Sequence, residues 1–251
     1  MIPPRERLIV ALDVSSSKEA RKIVSSLGDA VQIYKVGMQL YTAEGPQIVR
    51  DLAASGRRVF LDLKYHDIPN TVAAAVREAA QLGVSMLTVH ASGGTKMLHA
   101  ATEAAHVGAD ALVRPEIAAL QILAVTVLTS LHEHDLKDTG VPGTLADQVV
   151  RLASMALEAG CGGVVSSARE VKTLRAKLGS DFLVVTPGVR PAGSAHGDQA
   201  RVATPAEAIA AGATHIVVGR PITAAPNPAA EAAKILQDLG TRLSELETQN
   251  V

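Results

Sequence analysis

The stretch "FLDLKYHDIPNTV" places two acids and a lysine where an apolar, strand-like run comes to its end. The three charged residues are Asp62, Lys64 and Asp67. Side chains two residues apart in a strand face the same side, so Asp62 and Lys64 should point together, with Asp67 in the turn that follows. Because taking several charges out of water is costly, we expect the cluster to carry chemistry. A buried ion-pair network that only fixes the strand register is the alternative interpretation.

Two further charged residues stand at the ends of earlier apolar runs. Asp13 closes "LIVALD", and Lys35 lies within "QIYKVG". The carboxyl ends of parallel strands meet at one edge of a sheet or one mouth of a barrel. Two lysines and three aspartates are therefore predicted to converge there.

Two glycine–arginine pairs near the C-terminus predict a second kind of site. "TPGVRP" contains Gly188 and Arg190, and "VGRPIT" contains Gly219 and Arg220. Glycine backbone N–H groups and helix N-termini bind phosphate, and the guanidinium fork matches phosphate oxygens. The loops after strands seven and eight commonly hold phosphate in αβ barrels. We therefore predict phosphate binding, and Gln199, in the loop between the two pairs, could hydrogen-bond the ligand.

The elements that must position these residues alternate regularly. Eight apolar runs begin at Leu8, Ala30, Val59, Met86, Leu120, Cys161, Phe182 and His215. The Ala-rich segments between them have helical spacing and are bounded by Ser, Thr or Asn at the start and Gly at the end. This pattern predicts a closed (β/α)8, or TIM, barrel, with residues 1–251 forming a single domain. An open doubly wound sheet is the alternative, but no G-x-G-x-x-G turn follows the first run.

Two longer connections interrupt this alternation. Residues 190–205 are rich in Gly, Ala and Pro, as in a lid, and residues 131–144 are predicted to form a charged loop. The second connection carries His132 and His134, but their spacing is not that of a helical H-E-x-x-H site. We therefore predict no metal site.

Composition narrows the classes of function. The 251 residues carry a net charge of −1 and are 47% hydrophobic but only 2% aromatic. Few aromatic residues and no basic run disfavour a nucleic-acid partner. We found neither a signal-peptide pattern nor a membrane-length apolar run, and we expect a cytoplasmic protein. The single cysteine, Cys161, is predicted to be a buried structural residue in a reducing compartment.

Taken together and in chain order, the motifs resemble those of bacterial orotidine 5′-phosphate decarboxylases. They are "LDV" at Asp13, "YKVG" at Lys35, "LDLKYHDIPNT" from Leu61, "HASGG" from His90, "LTS" at Ser130, "TPGVRP" at Arg190, "GDQ" at Gln199 and "VGRPIT" at Arg220. The resemblance implies a homodimeric (β/α)8 barrel that converts orotidine 5′-monophosphate to UMP and CO₂ without metal or organic cofactor. D-x-K-x-x-D alone would indicate only the wider superfamily, which includes hexulose-phosphate synthase.

The resemblance also implies a role for each matching residue. Lys64 would stabilise and protonate the C6 carbanion, Asp62 would face the departing carboxylate, and Lys35 and Asp67 would hold Lys64. Asp67 would reach into the neighbouring subunit's site together with Ile68 and Thr71. The remaining implied contacts are Asp13 and Lys35 at the ribose, Ser130 at the pyrimidine, and Arg190, Gln199, Gly219 and Arg220 at the phosphate.

Other functions remain open at this point. A metal-dependent sugar-phosphate decarboxylase or aldolase of the same superfamily is disfavoured by Lys35, because a lysine opposes a cation site. A Schiff-base aldolase is disfavoured because the flanking acids keep Lys64 protonated. A catalytically inactive nucleotide-binding barrel would not need the charges of Asp62, Lys64 and Asp67 together.

Overall fold

The computed structural model shows a closed barrel of eight parallel strands, and it describes residues 2–110, 120–191 and 203–249. Neighbouring strands follow in chain order, and β8 pairs with β1 to close the barrel. The strands are β1 (Leu8–Ala11), β2 (Ile33–Gly37), β3 (Arg58–Tyr65), β4 (Met86–His90), β5 (Gln121–Val125), β6 (Gly163–Val165), β7 (Leu183–Thr186) and β8 (His215–Val218). Each lies within one of the eight predicted runs or, for β3, begins one residue earlier, so the barrel prediction is confirmed and the open sheet is excluded.

Helices cover the outside of the barrel. In the described chain they are α1 (Pro4–Arg7), α2 (Ser17–Leu27), α3 (Met38–Glu44), α4 (Gln47–Ala54), α5 (Pro69–Gln81), α6 (Thr95–Asp110), α7 (Glu133–Asp138), α8 (Leu145–Glu158), α9 (Ala168–Leu178), α10 (Pro205–Ala210), α11 (Arg220–Thr223) and α12 (Pro228–Gln249). Short 3₁₀ turns span Gly28–Ala30 and Ala91–Gly93. In this part of the chain, no helix is both long enough and apolar enough to cross a membrane.

Capping residues explain where several of these helices begin. The Ser16 side chain accepts a hydrogen bond from the Glu19 N–H, and Thr144 and Thr204 do the same for α8 and α10. Each bond satisfies one backbone donor that the first helical turn leaves unpaired. The "S-x-x-E" and "T-x-x-[DE]" spacings in the sequence therefore define these helix starts.

The barrel interior below the mouth is filled by apolar side chains. One buried cluster there consists of Ile9, Ala11, Ile33, Phe60, Met86, Leu123, Val185 and Val217. A larger buried cluster lies between the strands and the helices. These side chains make the barrel interior a packed core, and a site for a ligand is expected at the carboxyl ends of the strands.

One connection is more regular than the sequence predicted. Residues 131–144 were predicted to be a loop, but α7 forms within them. The Asp135 carboxylate accepts a hydrogen bond from the His132 N–H at 2.7 Å, and Leu136 is buried against the core. A single buried leucine and a side-chain cap thus stabilise a helix too short to show a periodic pattern.

Candidate active site

A cavity of ≈ 490 Å³ opens at the carboxyl end of the barrel. Most strands contribute to its wall, either through their last residues or through the loops that follow them. Its lining includes Asp13, Lys35, Gln39, Asp62, Lys64, Thr129, Ser166, Gly188, Arg190, Gly219 and Arg220. Four of the five charged residues predicted to converge, all but Asp67, therefore meet the glycine–arginine pairs at one cavity.

The charged residues form a chain of alternating sign. Lys35 Nζ lies 2.8 Å from Asp13 Oδ1 and 3.6 Å from Asp62 Oδ2. Lys64 Nζ donates a hydrogen bond to Asp62 Oδ1 at 2.9 Å. The sequence predicted this convergence for Asp13, Lys35, Asp62 and Lys64. Each ammonium lies next to a carboxylate, so the four charges sum to zero.

The two central members of this series, Lys35 and Asp62, are the most buried. The side chain of Asp13 is 55% exposed, whereas those of Lys35 and Asp62 are 12% and 14% exposed. Burial alone would raise the pKa of the Asp62 carboxyl, but the ammonium groups of Lys35 and Lys64 and two hydrogen bonds outweigh it and lower that pKa. Asp62 is therefore an ionised group in a largely dehydrated position.

The backbone at Lys64 departs from a regular strand. Its φ of 53° is the only positive value at a non-glycine residue in the described ranges. The pairing of β3 with β4 shifts at the same place, because Leu61 pairs with Leu87 and Tyr65 with Val89. A left-handed conformation costs a lysine about 1–2 kcal/mol. The prediction that Lys64 faces the barrel interior is confirmed, but a bulge directs it there, not regular alternation.

Sequence reasoning missed two polar residues of this site. The Thr88 hydroxyl lies 3.0 Å from Asp62 Oδ1, and it accepts the Lys64 backbone N–H at 2.9 Å. Gln39 lines the cavity and donates to the Ser15 hydroxyl at 2.9 Å. Thr88 could have been found, because it lies two residues after Met86, which pairs with the interior-facing Phe60. Gln39 lies in α3, where no motif or spacing pointed to a site residue.

The glycine–arginine pairs line the same cavity, and Gly219 lies next to the ionic cluster, since a Cβ there would be 3.9 Å from Asp13 Oδ2. Gly188 has a φ of 73°, a left-handed conformation that favours glycine. The Arg190 N–H donates a hydrogen bond to the Ala203 carbonyl at 2.9 Å. Arg190 and Ala203, near the two ends of the connection from β7 to α10, therefore lie next to each other. Gly219 precedes α11, which Arg220 begins.

Other predicted residues do not line this cavity. Asp67, Ile68 and Thr71 are exposed beyond the end of β3, and the Asp67 carboxylate accepts the Ile68 N–H at 2.6 Å. Ser130 is exposed in the turn after Thr129, which does line the cavity. Gln199 lies outside the described residues.

Histidines near the site do not form a metal centre. The rings of His66 and His90 lie 5.4 Å apart, and burial, followed by His66 and Lys64, lowers the pKa of His90. His134 lies in α7, not in the loop predicted for it, 3.3 Å from Asp135. Across residues 2–110, 120–191 and 203–249, no group of three or more His, Cys, Asp or Glu residues could hold a metal ion.

Fold and site together define a (β/α)8 barrel with an ionic cluster and an adjoining glycine–arginine wall at its C-terminal mouth. The sequence model of the "Orotidine 5′-phosphate decarboxylase / HUMPS family" matches residues 6–235. This chain belongs to that family.

Individual relatives agree with this assignment over nearly the whole chain. The orotidine 5′-phosphate decarboxylase of Moorella thermoacetica is 50% identical over 236 residues, covering 94% of this chain and 92% of that protein. The orotidine 5′-phosphate decarboxylase of Geobacter metallireducens is 49% identical over 238 residues, covering 94% and 96%. The crystal structure of the Lactobacillus acidophilus enzyme of that name superposes with a TM-score of 0.81 at 39% identity, covering 92% of this chain and 98% of that one.

Proposed function

We propose that this chain is an orotidine 5′-phosphate decarboxylase, which converts orotidine 5′-monophosphate to UMP and CO₂ in pyrimidine biosynthesis. The observation that carries the proposal is the series of ion pairs Asp13–Lys35–Asp62–Lys64 at the mouth of the barrel. It occurs in a protein whose sequence is about 50% identical to that of an enzyme of this name. The chemistry needs only these side chains, so we include no metal or organic cofactor in the proposal.

Lys64 is the residue proposed to act on the reacting carbon. Loss of CO₂ leaves a carbanion at C6 that no carbonyl group can delocalise, so a fixed ammonium is needed both to stabilise the charge and to supply the proton. The Lys64 side chain is 25% exposed, and its Nζ lies 2.9 Å from Asp62 Oδ1, which holds the ammonium in place. Electrostatic preorganisation of this kind costs no rearrangement at the moment of reaction.

Asp62 is proposed to act on the substrate carboxylate. Two unit charges about 4 Å apart interact by about 4 kcal/mol at an effective dielectric constant near 20. A buried, ionised carboxylate facing the substrate's own would therefore raise the energy of the bound state, and departure of CO₂ would relieve the repulsion. Lys35 is proposed to keep Asp62 ionised and to share ribose binding with Asp13.

The phosphate is proposed to lie against the loops after β7 and β8. Arg190, Gly219 and Arg220 line that side of the cavity, and guanidinium groups bind phosphate in a bidentate manner. Binding energy from this non-reacting group can be used to stabilise the transition state. For Gln199 at the phosphate and Ser130 at the pyrimidine, the proposal rests on the motif resemblance alone.

The site is further proposed to be completed by a second copy of the chain. Asp67 and Thr71 are exposed, and Ile68 is 67% exposed, unusually high for a large apolar side chain. None of the three lines the cavity of its own chain, and in the described residues Asp67 forms no ion pair. A homodimer would cover Ile68 and bring Asp67 to Lys64 of the partner.

We also infer the setting in which the enzyme works. Pyrimidine biosynthesis and a single buried, reduced Cys161 are consistent with a single-domain cytoplasmic enzyme. The proposed partners are orotidine 5′-monophosphate, UMP and a second subunit. We propose neither a nucleic acid nor a membrane as a partner.

The test is a spectrophotometric assay of orotidine 5′-monophosphate in excess EDTA. The parent protein and a Lys234→Ala control are expected to convert the substrate to UMP, because Lys234 is exposed on α12 and pairs there with Glu231. Lys64→Ala is expected to lose turnover while still binding UMP. If the parent is inactive with EDTA but active on a sugar phosphate with magnesium, the chain is instead a metal-dependent member of the family.

Subunit mixing tests the composite site. Lys64→Ala and Asp67→Ala are each expected to be inactive alone, but a randomised mixture should form heterodimers that carry one intact site. About a quarter of the parent's sites are then regenerated. A mixture as inactive as its components, with subunit exchange demonstrated by mass, would show that Asp67 acts within its own chain.

A further inference from the structure

The bulge at the end of β3 leaves one residue of β4 opposite three residues of β3. Leu61 pairs with Leu87 and Tyr65 pairs with Val89, so only Thr88 faces the stretch from Asp62 to Lys64. Both proposed reacting residues of β3 therefore share one neighbour on the next strand. Thr88 carries a hydroxyl group, whereas the cluster of interior side chains below it is apolar.

The Thr88 hydroxyl closes a ring of hydrogen bonds. The Lys64 backbone N–H donates to Thr88 Oγ1 at 2.9 Å, and the hydroxyl donates to Asp62 Oδ1 at 3.0 Å. The same carboxylate oxygen accepts the Lys64 ammonium at 2.9 Å. Oγ1 accepts the backbone N–H through a lone pair, and because an ionised carboxylate can only accept, the hydroxyl proton points towards Asp62. Thr88 thus connects the backbone and the side chain of Lys64.

Burial makes this hydroxyl difficult to replace. Thr88 is 0% exposed, so bulk water cannot take over either hydrogen bond. Its β-branched side chain also has restricted rotation about χ1, which fixes the direction of the hydroxyl. The backbone of Lys64 is held in a left-handed conformation that a lysine would not adopt without compensation.

We propose that Thr88 is a positioning residue for the decarboxylation. It holds Lys64 in its strained backbone conformation and fixes the carboxylate of Asp62, and so directs the ammonium at the reacting carbon. The proposal rests on the function proposed above, since it assigns Thr88 to the same reaction. Thr88 itself does not line the cavity, and acts through Lys64 and Asp62.

The test compares two substitutions that separate the hydroxyl from the rest of the side chain. Thr88→Val keeps the shape but removes the hydroxyl, and Thr88→Ser keeps the hydroxyl. Thr88→Val is expected to lower kcat by about 10- to 100-fold, the factor expected for a buried hydrogen bond to a charged group, with KM changed less than about 3-fold. Thr88→Ser should recover kcat to within about 3-fold of the parent.

A matched control separates positioning from general loss of stability. Thr102 is also buried, and its hydroxyl bonds to the Ala159 carbonyl at 2.9 Å, away from the site. Thr102→Val should lower the melting temperature much as Thr88→Val does but leave kcat unchanged. Equal kcat losses in both valine variants, or in Thr88→Val and Thr88→Ser, would overturn the proposal.

A second readout does not depend on turnover. The ¹³C carboxyl resonance of Asp62, assigned with Asp62→Asn, can be titrated in each variant. Without the Thr88 donor, the pKa of Asp62 should rise in Thr88→Val but not in Thr88→Ser, and the acid limb of kcat should move to higher pH in parallel. An unchanged titration would refute the hydrogen bond. If the parent does not decarboxylate orotidine 5′-monophosphate, the proposed function fails, and this titration still decides the link from Thr88 to Asp62.

Discussion

Gly37→Ala provides a steric probe of the ionic cluster that leaves every charge in the protein in place. Gly37 ends β2 with a φ of −95°, which an alanine adopts without strain. A Cβ atom there would lie 2.8 Å from Lys35 Nζ and 3.1 Å from Asp13 Oδ1, both closer than the 3.4 Å at which ordinary contacts begin. The ammonium must therefore move, and it can do so because it ends a flexible side chain.

The expected effect follows from the distance between Lys35 and Asp62. Nζ and Oδ2 are 3.6 Å apart. Displacing the ammonium to about 4.5 Å weakens the attraction by about 1 kcal/mol at an effective dielectric constant of 20. Partial loss of the bond to Asp13, which is more than half exposed, adds at most about 1 kcal/mol after allowance for solvent screening. If this loss of interaction energy is expressed fully in the transition state, kcat/KM falls by about 5- to 30-fold.

The assay is decarboxylation kinetics together with thermal unfolding. Gly37→Ala is expected to unfold within a few degrees of the parent, since only a side-chain terminus is displaced. The control is Gly240→Ala in α12, where the nearest atom to the new Cβ is Pro4 Cγ at 4.0 Å, and where a better helix former should raise the melting temperature without changing kinetics. Parent-like kcat/KM in a Gly37→Ala protein that crystallography shows to have a displaced Lys35 would refute the reasoning.

Three further predictions concern the barrel itself. Burial and two nearby arginines lower the pKa of His215 to about 4. Acid therefore favours the unfolded state, in which this histidine binds a proton more readily, and the free energy of unfolding should fall by about 2–3 kcal/mol between about pH 7 and pH 4.5. In urea titrations, the free energy of unfolding of His215→Gln should fall less over this pH range than that of the parent. Equal decreases would show that His215 is not the group responsible. Burial raises the pKa of the Cys161 thiol to about 12, so iodoacetamide should label it only in denaturant, and rapid native labelling would contradict this. Gly163→Ala would press a Cβ into the Leu183 carbonyl and should give little folded protein, whereas a parent-like melting curve would show that β6 and β7 can separate.

The strands were predictable because a buried parallel strand needs a continuous apolar run. All eight runs contain most or all of a barrel strand, and the capped helices between them follow from Ser, Thr and Gly at their ends. The Ala-rich segment between the third and fourth runs was predicted to be helical and is confirmed as α5. By contrast, α7 was missed, because six residues with one buried leucine contain too few turns to show a helical period.

The charged half of the site was predictable from position, but its geometry was not. Asp13, Lys35, Asp62 and Lys64 stand at strand ends, which converge in any parallel barrel. Regular alternation predicts the correct side of the strand for Lys64. The side chain reaches that side through a bulge and a positive φ, which become apparent only when β3 is paired with β4. Thr88 was missed because a threonine inside a strand is ordinary on β-propensity alone. The partner-dependent role of Asp67 stays a prediction, since it involves a second chain.

Closure of the barrel between its first and last strands has a consequence for synthesis of the protein. Leu8 pairs with Ile216, about 200 residues later in the chain. One edge of β1 therefore has no strand to pair with until almost the whole chain has left the ribosome. Domains emerge N-terminal end first, and unpaired strand edges promote aggregation. Slow translation or truncation before β8 should thus leave a chain that carries both lysines and both aspartates of the ionic cluster, yet depends on chaperones to stay in solution.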